Sequence, residues 1–283
     1  MTQVIACIDG SPSSAAVCDY AAWASLRLEA PLVLLHVLDR SQYPVKEDLS
    51  GNIGLGSREH MLEEMTALDE QRSKLALDDG RRMLDEAKKR AEADGVADPI
   101  LKQRHDDLAG SLAGLQDETR LLVMGLHGEK DGGRHPHVGS QLESAVRTLH
   151  RPILASPPLF KTPESLMLAF DGSATTRKGV EMIARSPLFR GLPVHLVMVG
   201  ADTKDAWEQI SEAQHQLQQA GFETEASIRS GDVAETLLAY QDEKGIDLLV
   251  MGAYGHSRIR EFLVGSTTTR MLCNAQGPLL LLR

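Results

Sequence analysis

"LMLAFDGSATTRKGV", Leu166 to Val180, repeats the plan of "VIACIDGSPSSAAV", which begins at Val4. Each reads as an apolar strand, then Asp-Gly-Ser, then a helical pattern. Four further matches follow in the same order. "PLVLLHV" (Pro31 to Val37) answers "PVHLVMV" (Pro193 to Val199), and "RHDDLAGSLAGLQDE" from Arg104 answers "RSGDVAETLLAYQDE" from Arg229. "LLVMGLHG" (Leu121 to Gly128) answers "LLVMGAYG" (Leu248 to Gly255), and "VGSQLESAVRTLHRPILA" from Val138 answers "VGSTTTRMLCNAQGPLLL" from Val264. Ordered self-similarity of this kind marks two homologous units, residues 1–157 and 164–283. "SPPLFKTPE", Ser156 to Glu164, carries three prolines and reads as the connector.

Within each unit, apolar strands alternate with helical segments. In the second, strands are expected near 166–171, 193–199, 223–229, 247–252 and 278–282. Near-continuous apolar strands separated by helices argue a parallel sheet covered on both faces, with right-handed crossovers. The fold class is therefore α/β, two tandem doubly wound, Rossmann-like domains. In the first unit Ser11 is placed to cap the first helix and Pro12 to occupy its first turn. The units differ in the middle. Residues 40–94 form an insertion that ends in a long charged helical stretch, with Leu62, Met65, Leu68, Leu75 and Leu84 at roughly helical spacing. It reads as an elaborated helix with a solvated face; a lid or partner-docking arm is the alternative.

Composition narrows the function classes. The chain has 283 residues, a formal net charge of -10 and a pI near 5.5. That balance argues against nonspecific nucleic-acid binding, which needs a basic footprint, yet allows a local anion site. "MTQVIACIDGS" has no basic n-region, and no run approaches the ~18 apolar residues of a membrane span. The expectation is a cytoplasmic protein without membrane insertion. Cys7, Cys18 and Cys273 have no C-x-x-C spacing and suit small core residues in a reducing compartment. His127, His135 and His137 lack a defined third or fourth ligand residue, so no metal site is expected. There is no G-x-x-x-x-G-K-[ST] loop and no assembled Ser-His-Asp set.

"GAYGHSRIREFLVGS", Gly252 to Ser266, follows the strand-like "DLLVM" and precedes a helix. Glycine permits positive φ and close backbone approach. A helix N-terminus offers unpaired N–H groups and partial positive charge. Together they make an anion site, usually for phosphate. Ser266 and Thr267 add hydroxyls, and Arg258 can add charge. In an open doubly wound sheet the ligand sits beyond the strand carboxyl ends where strand order reverses. Asp171-Gly172-Ser173 would then face the Gly252–Gly255 turn. Asp171 could accept from a ribose hydroxyl or hold a metal-bound water; its other role is a helix cap.

Asp-Gly-Ser after the first strand, together with "GAYGHSRIREFLVGST", resembles the universal stress protein family, whose nucleotide-binding members carry Gly-x2-Gly-x9-Gly-Ser/Thr. The second unit matches in full at Gly252, Gly255, Gly265 and Ser266. The resemblance implies five parallel strands in the order 3-2-1-4-5, and pairing of subunits through strand five. It implies ATP or another adenine nucleotide, with or without Mg²⁺. By position, Asp171 and the backbone around Val199 would meet the nucleoside. Met251 and Gly252 would line the adenosine, and Gly255, Gly265, Ser266 and Thr267 the phosphates. The first unit offers a weaker set: Asp9, Val37, Gly125, Gly128, Gly139 and Ser140. Its motif has ten residues, not nine, between Gly128 and Gly139. The extra residue adds up to about 3.3–3.6 Å of chain, and Glu129 and Asp131 disfavour phosphate, partly offset by Lys130, Arg134, His135 and His137. The C-terminal half is expected to bind nucleotide better.

"PLLLLR" at the C-terminus would be a sticky edge strand, and "RPILAS" has the same problem. Pairing of these two strands across a pseudo-twofold axis solves both, making the chain its own dimer; a further homodimer through the long helix stays open. The leading function is a stress-associated nucleotide-binding regulator. A slow ATP hydrolase, with Asp171 the one nominated base, and a nucleotide-independent interaction protein with a relic site are the alternatives.

Overall fold

The computed structural model describes residues 2–38, 55–105, 107–126, 138–253 and 266–283. The N-terminal half runs β1 (Gln3–Cys7), α1 (Ser14–Leu28), β2 (Leu32–Leu38), α2 (Leu55–Ala93), β3 (Ile100–His105), α3 (Leu108–Ala113), β4 (Thr119–Gly125), α4 (Ser140–Thr148) and β5 (Ile153–Ser156). The C-terminal half runs β6 (Leu166–Ala169), α5 (Ala174–Arg185), a 3-10 turn (Pro187–Phe189), β7 (Val194–Val199), α6 (Lys204–Gln219), β8 (Thr224–Arg229), α7 (Val233–Lys244), β9 (Leu248–Gly252), α8 (Ser266–Asn274) and β10 (Leu279–Leu282).

All ten strands form one sheet in the order β3-β2-β1-β4-β5-β10-β9-β6-β7-β8. Each half thus has the strand order 3-2-1-4-5, parallel throughout. The two halves meet where β5 and β10 pair antiparallel, with Leu279 opposite Ala155, Leu280 opposite Leu154 and Leu281 opposite Ile153. Each would otherwise present an open apolar edge, and the seam removes both. Arg283 fastens it by donating to the carbonyls of Leu149 (3.1 Å) and Arg147 (3.2 Å) at the end of α4.

Alternation along the strands explains the two cores. Val4, Ala6, Leu32 and Leu34 pack under α1 and α2, whereas Ile5, Val33 and Leu35 pack with Leu112 of α3 and Leu142 of α4. The C-terminal half repeats the division. Residues on both faces are buried, so the strands read as unbroken apolar runs. The connector lies against both halves. Phe160 packs edge-on to Tyr20 at 4.7 Å between centroids. The Lys161 amide donates to the Tyr20 hydroxyl (3.2 Å), and the Glu164 amide to Asp247 (2.9 Å).

Two local expectations need correction. The first helix starts at Ser14, not at Ser11 and Pro12, and its cap residue Ser13 makes no side-chain capping bond. Asp9 explains the shift: its Oδ1 accepts from the Ser11 amide (3.0 Å) and the Ser14 hydroxyl (2.9 Å), so Ser11–Ser13 become a turn ahead of the helix. The long helix is 39 residues, about 58 Å at 1.5 Å per residue, but its apolar spacing does not mark one buried face. Leu84 is buried, while Leu68 and Leu75 are 52% and 55% exposed. Leu62 and Met65 have no described side-chain environment.

The C-terminal part of α2 packs, and a bidentate pair holds it there. Arg90 donates to both oxygens of Asp19 on α1, one at 2.8 Å. Gly80 lets the helix approach the sheet. A Cβ there would fall 2.2 Å from Gln103 Nε2 and 2.6 Å from His36 Cδ2. His36 is buried, and its Nδ1 is held at 2.7 Å from the Ile8 carbonyl, so the ring cannot easily yield. Gly80→Ala should therefore destabilise the protein by roughly 1–3 kcal/mol, the usual cost of overpacking, despite alanine's better helix propensity. Urea unfolding checks this; an unchanged or raised midpoint would show that α2 is not seated so closely.

All three cysteines are free thiols. Burial, with nearby carboxylates Asp9 and Asp19 respectively, pushes the Cys7 and Cys18 thiols up to about 12. Burial thus disfavours the thiolate, the nucleophilic form, at both.

Candidate functional site

The chain runs β6, β7, β8 toward one edge of its half-sheet and then crosses back to place β9 on the other side of β6. The strand order therefore reverses between β6 and β9, where the crevice of a doubly wound sheet opens. Asp171 stands two residues past the end of β6, Val199 ends β7, and Gly252 ends β9. Ser266 and Thr267 open α8. The sheet thus brings Asp171, Val199, Met251, Gly252, Ser266 and Thr267 to its carboxyl end. Gly255, Arg258 and Gly265 lie outside the described residues.

The Asp-Gly-Ser loop is tightly built. Asp171 Oδ1 accepts from the Ser173 amide (2.9 Å) and the Thr176 hydroxyl (2.8 Å). Ser173, not Asp171, is the N-cap of α5; its hydroxyl accepts from the Thr176 amide at 3.3 Å. Gly172 has φ +71°, a left-handed conformation that glycine adopts at no steric cost. Gln209 of α6 covers it, with Oε1 2.2 Å from where a Cβ would stand. Arg177 braces the same loop, donating to the Gly172 carbonyl (3.0 Å) and to Gln209 (3.2 Å).

At the other wall of the crevice, Ala253 follows the strand-ending Gly252. Its amide donates to the Leu282 carbonyl (3.0 Å), and its carbonyl accepts from the buried Thr268 hydroxyl (3.1 Å). The Thr268 bond ties the first turn of α8 to the end of β9, which fixes where the helix N-terminus starts.

The N-terminal half keeps the same frame. Asp9 organises its loop as Asp171 does, Gly10 has φ +76°, and Gly125 ends β4. Val37 lies near the end of β2. Gly139 is the N-cap of α4, its amide donates to the Leu126 carbonyl (3.2 Å), and Ser140 opens the helix. Gly128, His127, His135, His137 and the charged residues between them lie outside the described residues. Among the described residues no group of His, Cys, Asp and Glu is placed to hold a metal ion.

Thr176, Arg177 and Gln209 were not anticipated as parts of the site. Thr176 has a signal in the repeat itself. "DGSPSS" and "DGSATT" both place a hydroxyl five residues after the aspartate, and both hydroxyls bond it.

A ten-stranded sheet made of two doubly wound halves, each with its loops gathered at a strand-order reversal, defines tandem Rossmann-like α/β domains. The universal stress protein family matches residues 1–157 and 164–283, and the chain belongs to that family. Universal stress protein Slr1230 of Synechocystis sp. is 33% identical over 287 residues, covering 100% of both chains. Among solved structures, a universal stress protein from Archaeoglobus fulgidus superposes with a TM-score of 0.69 at 17% identity, over 99% of this chain and 95% of that one. A functionally unknown protein, PA1789, from Pseudomonas aeruginosa superposes with a TM-score of 0.61 at 13% identity, over 100% and 92%. No helix among the described residues is long and apolar enough to cross a membrane.

Proposed function

We propose that the chain is a stress-associated regulatory protein that binds an adenine nucleotide, ATP or a close relative, at the β6–β9 crevice. In this reading residues 164–283 carry the working site and residues 1–157 a degenerate one. One observation carries it: the strand-order reversal puts the ordered Asp171 loop beside the end of β9, and α8 opens with Ser266 directly after the glycine-spaced stretch. The nucleoside would lie against Asp171, the Val199 backbone, Met251 and Gly252. Its phosphates would lie against Gly255, Gly265, Ser266 and Thr267, with Arg258 adding charge. The amides at the α8 N-terminus supply donors and partial positive charge for them.

A regulator is favoured over a hydrolase. Turnover needs a base or metal aimed at water. The one nominated base, Asp171, spends its Oδ1 on holding its own loop.

The test is a mass spectrum of small molecules released by denaturing the gently purified protein. An adenine nucleotide at near-stoichiometric yield is the expected result. Empty protein that also fails to bind added ATP by calorimetry would leave the nucleotide-independent reading. Steady phosphate release from Mg-ATP, lost in Asp171→Asn, would replace the regulator with a hydrolase.

A further inference from the structure

A cavity lies beside the seam between the halves, and its lining shares no residue with the crevice. Its volume is about 300 Å³, at the small end of ligand-binding cavities. The N-terminal half contributes Leu28, Arg120, Leu121 and Pro152; the C-terminal half contributes Met182, Arg185, Ser186, Phe189 and Leu280, among others. Apolar residues dominate the lining, and the polar groups are two guanidiniums and a hydroxyl.

Two arginines, Arg120 and Arg185, line the cavity of an acidic chain. The protein carries a net charge of -10. Several arginines elsewhere face carboxylates: Arg90 meets Asp19, Arg177 meets Glu212, Arg229 meets Glu243, and Arg270 meets Asp232; others, such as Arg104 and Arg151, bond backbone carbonyls. At the cavity, Arg120 donates to the Leu28 carbonyl at 3.0 Å. Beside it, Arg27 donates to the Arg190 carbonyl. Among the described residues none of Arg27, Arg120, Arg185 and Arg190 pairs with a carboxylate, and no hydrogen bond holds the Arg185 guanidinium. Arg27 and Arg185 stand in the last turns of α1 and α5. The negative ends of those helices make a cation tolerable there, but they supply no full counter-charge.

We propose that this cavity binds an amphipathic monocarboxylate, with its head on Arg185 and Arg120 and a short hydrocarbon tail against Met182, Phe189 and Leu280. The chemistry follows from the lining. An apolar hollow gains from a buried tail, and a guanidinium binds a carboxylate through two parallel N–H bonds. A larger or doubly charged ligand fits worse, because the apolar lining would desolvate it without compensation. The ligand would touch both halves at once and so strengthen the β5–β10 junction.

Calorimetric titration of the full chain with sodium octanoate tests this, with octylamine and inorganic phosphate as comparison probes. Saturable one-to-one binding of octanoate is expected, with little or none of the other two. Arg185→Leu should weaken octanoate about tenfold or more, the scale of one lost charge-assisted contact. Arg185 is exposed, so this variant should keep its fold, which a thermal melt verifies. Met182→Trp should block binding by filling the hollow. Gly265→Asp should leave octanoate binding intact, because the nucleotide site is separate. No binding at millimolar octanoate overturns the proposal. So does equal binding by wild type and Arg185→Leu, or phosphate binding as tightly as octanoate.

Discussion

Gly265→Asp should abolish adenine-nucleotide binding, with affinity falling at least 100-fold, while Gly139→Asp changes it little. Gly265 immediately precedes Ser266, the first residue of α8. In the proposed function its amide meets the phosphates. A carboxylate there sits against a phosphate charge. Two unit charges about 4 Å apart repel by about 4 kcal/mol at an effective dielectric of 20, worth roughly a thousandfold in affinity. A thermal melt of each variant shows whether the fold is kept, so that lost binding is not mistaken for lost stability. Gly139, its counterpart in the sequence repeat, is the N-cap of α4, which has no side-chain capping bond of its own. Aspartate, among the best residues for a helix N-cap, should be tolerated there. Calorimetric titration with ATP on both variants decides the matter. Loss of binding only in Gly139→Asp would move the working site to the N-terminal half. Loss in neither would remove the phosphate role of the α8 start.

The strands were legible because burial on both faces leaves unbroken apolar runs such as "PLVLLHV" and "DLLVM". The β5–β10 pairing was legible for a related reason. Two apolar edge strands are a hazard in solution, and antiparallel pairing is the local remedy. Helix starts were harder. Pro12 after Ser11 has the usual marks of a first turn, yet Asp9 reaches over both and moves the start to Ser14. The long helix misled in another way. Leu68 and Leu75 keep helical spacing, but the sheet extends only under the C-terminal end of α2, and spacing cannot report where a partner surface stops. Of the candidate site, the Asp171 loop and the strand-ending Gly252 were legible because Asp-Gly-Ser and the glycine that closes an apolar run are local patterns. Arg177 and Gln209 were not, because their roles depend on α5 lying beside α6. The arginine-rimmed cavity was invisible for the same reason: its residues run from Leu28 to Leu280 and meet only through the seam.

That seam is the point at which one substitution should do the most structural damage. Leu281→Asp should destabilise the protein by about 4 kcal/mol or more. Leu281 and its partner Ile153 are fully buried in the middle of a ten-stranded sheet. Removing the leucine forfeits roughly 1.5–3 kcal/mol of apolar burial. The incoming carboxyl finds no cation across the strand, where Ile153 faces it, nor on β9, where Met251 is the parallel neighbour. It must protonate or drag water in, and either adds a penalty of about 1–3 kcal/mol. The loss is more than local. If the β5–β10 pairing opens, both halves expose a strand edge flanked by leucines, and edges of that kind recruit other chains. The variant should therefore show a lowered urea midpoint together with concentration-dependent association. Leu159→Asp is the control, because Leu159 is 80% exposed on the connector; surface changes of that type usually stay within about 0.5 kcal/mol. Matching midpoints for Leu281→Asp and Leu159→Asp would mean that each half folds without help from the other, with the seam a contact of convenience. A large gap between them would show that the internal pseudo-dimer is part of the folding unit, not an arrangement adopted after it.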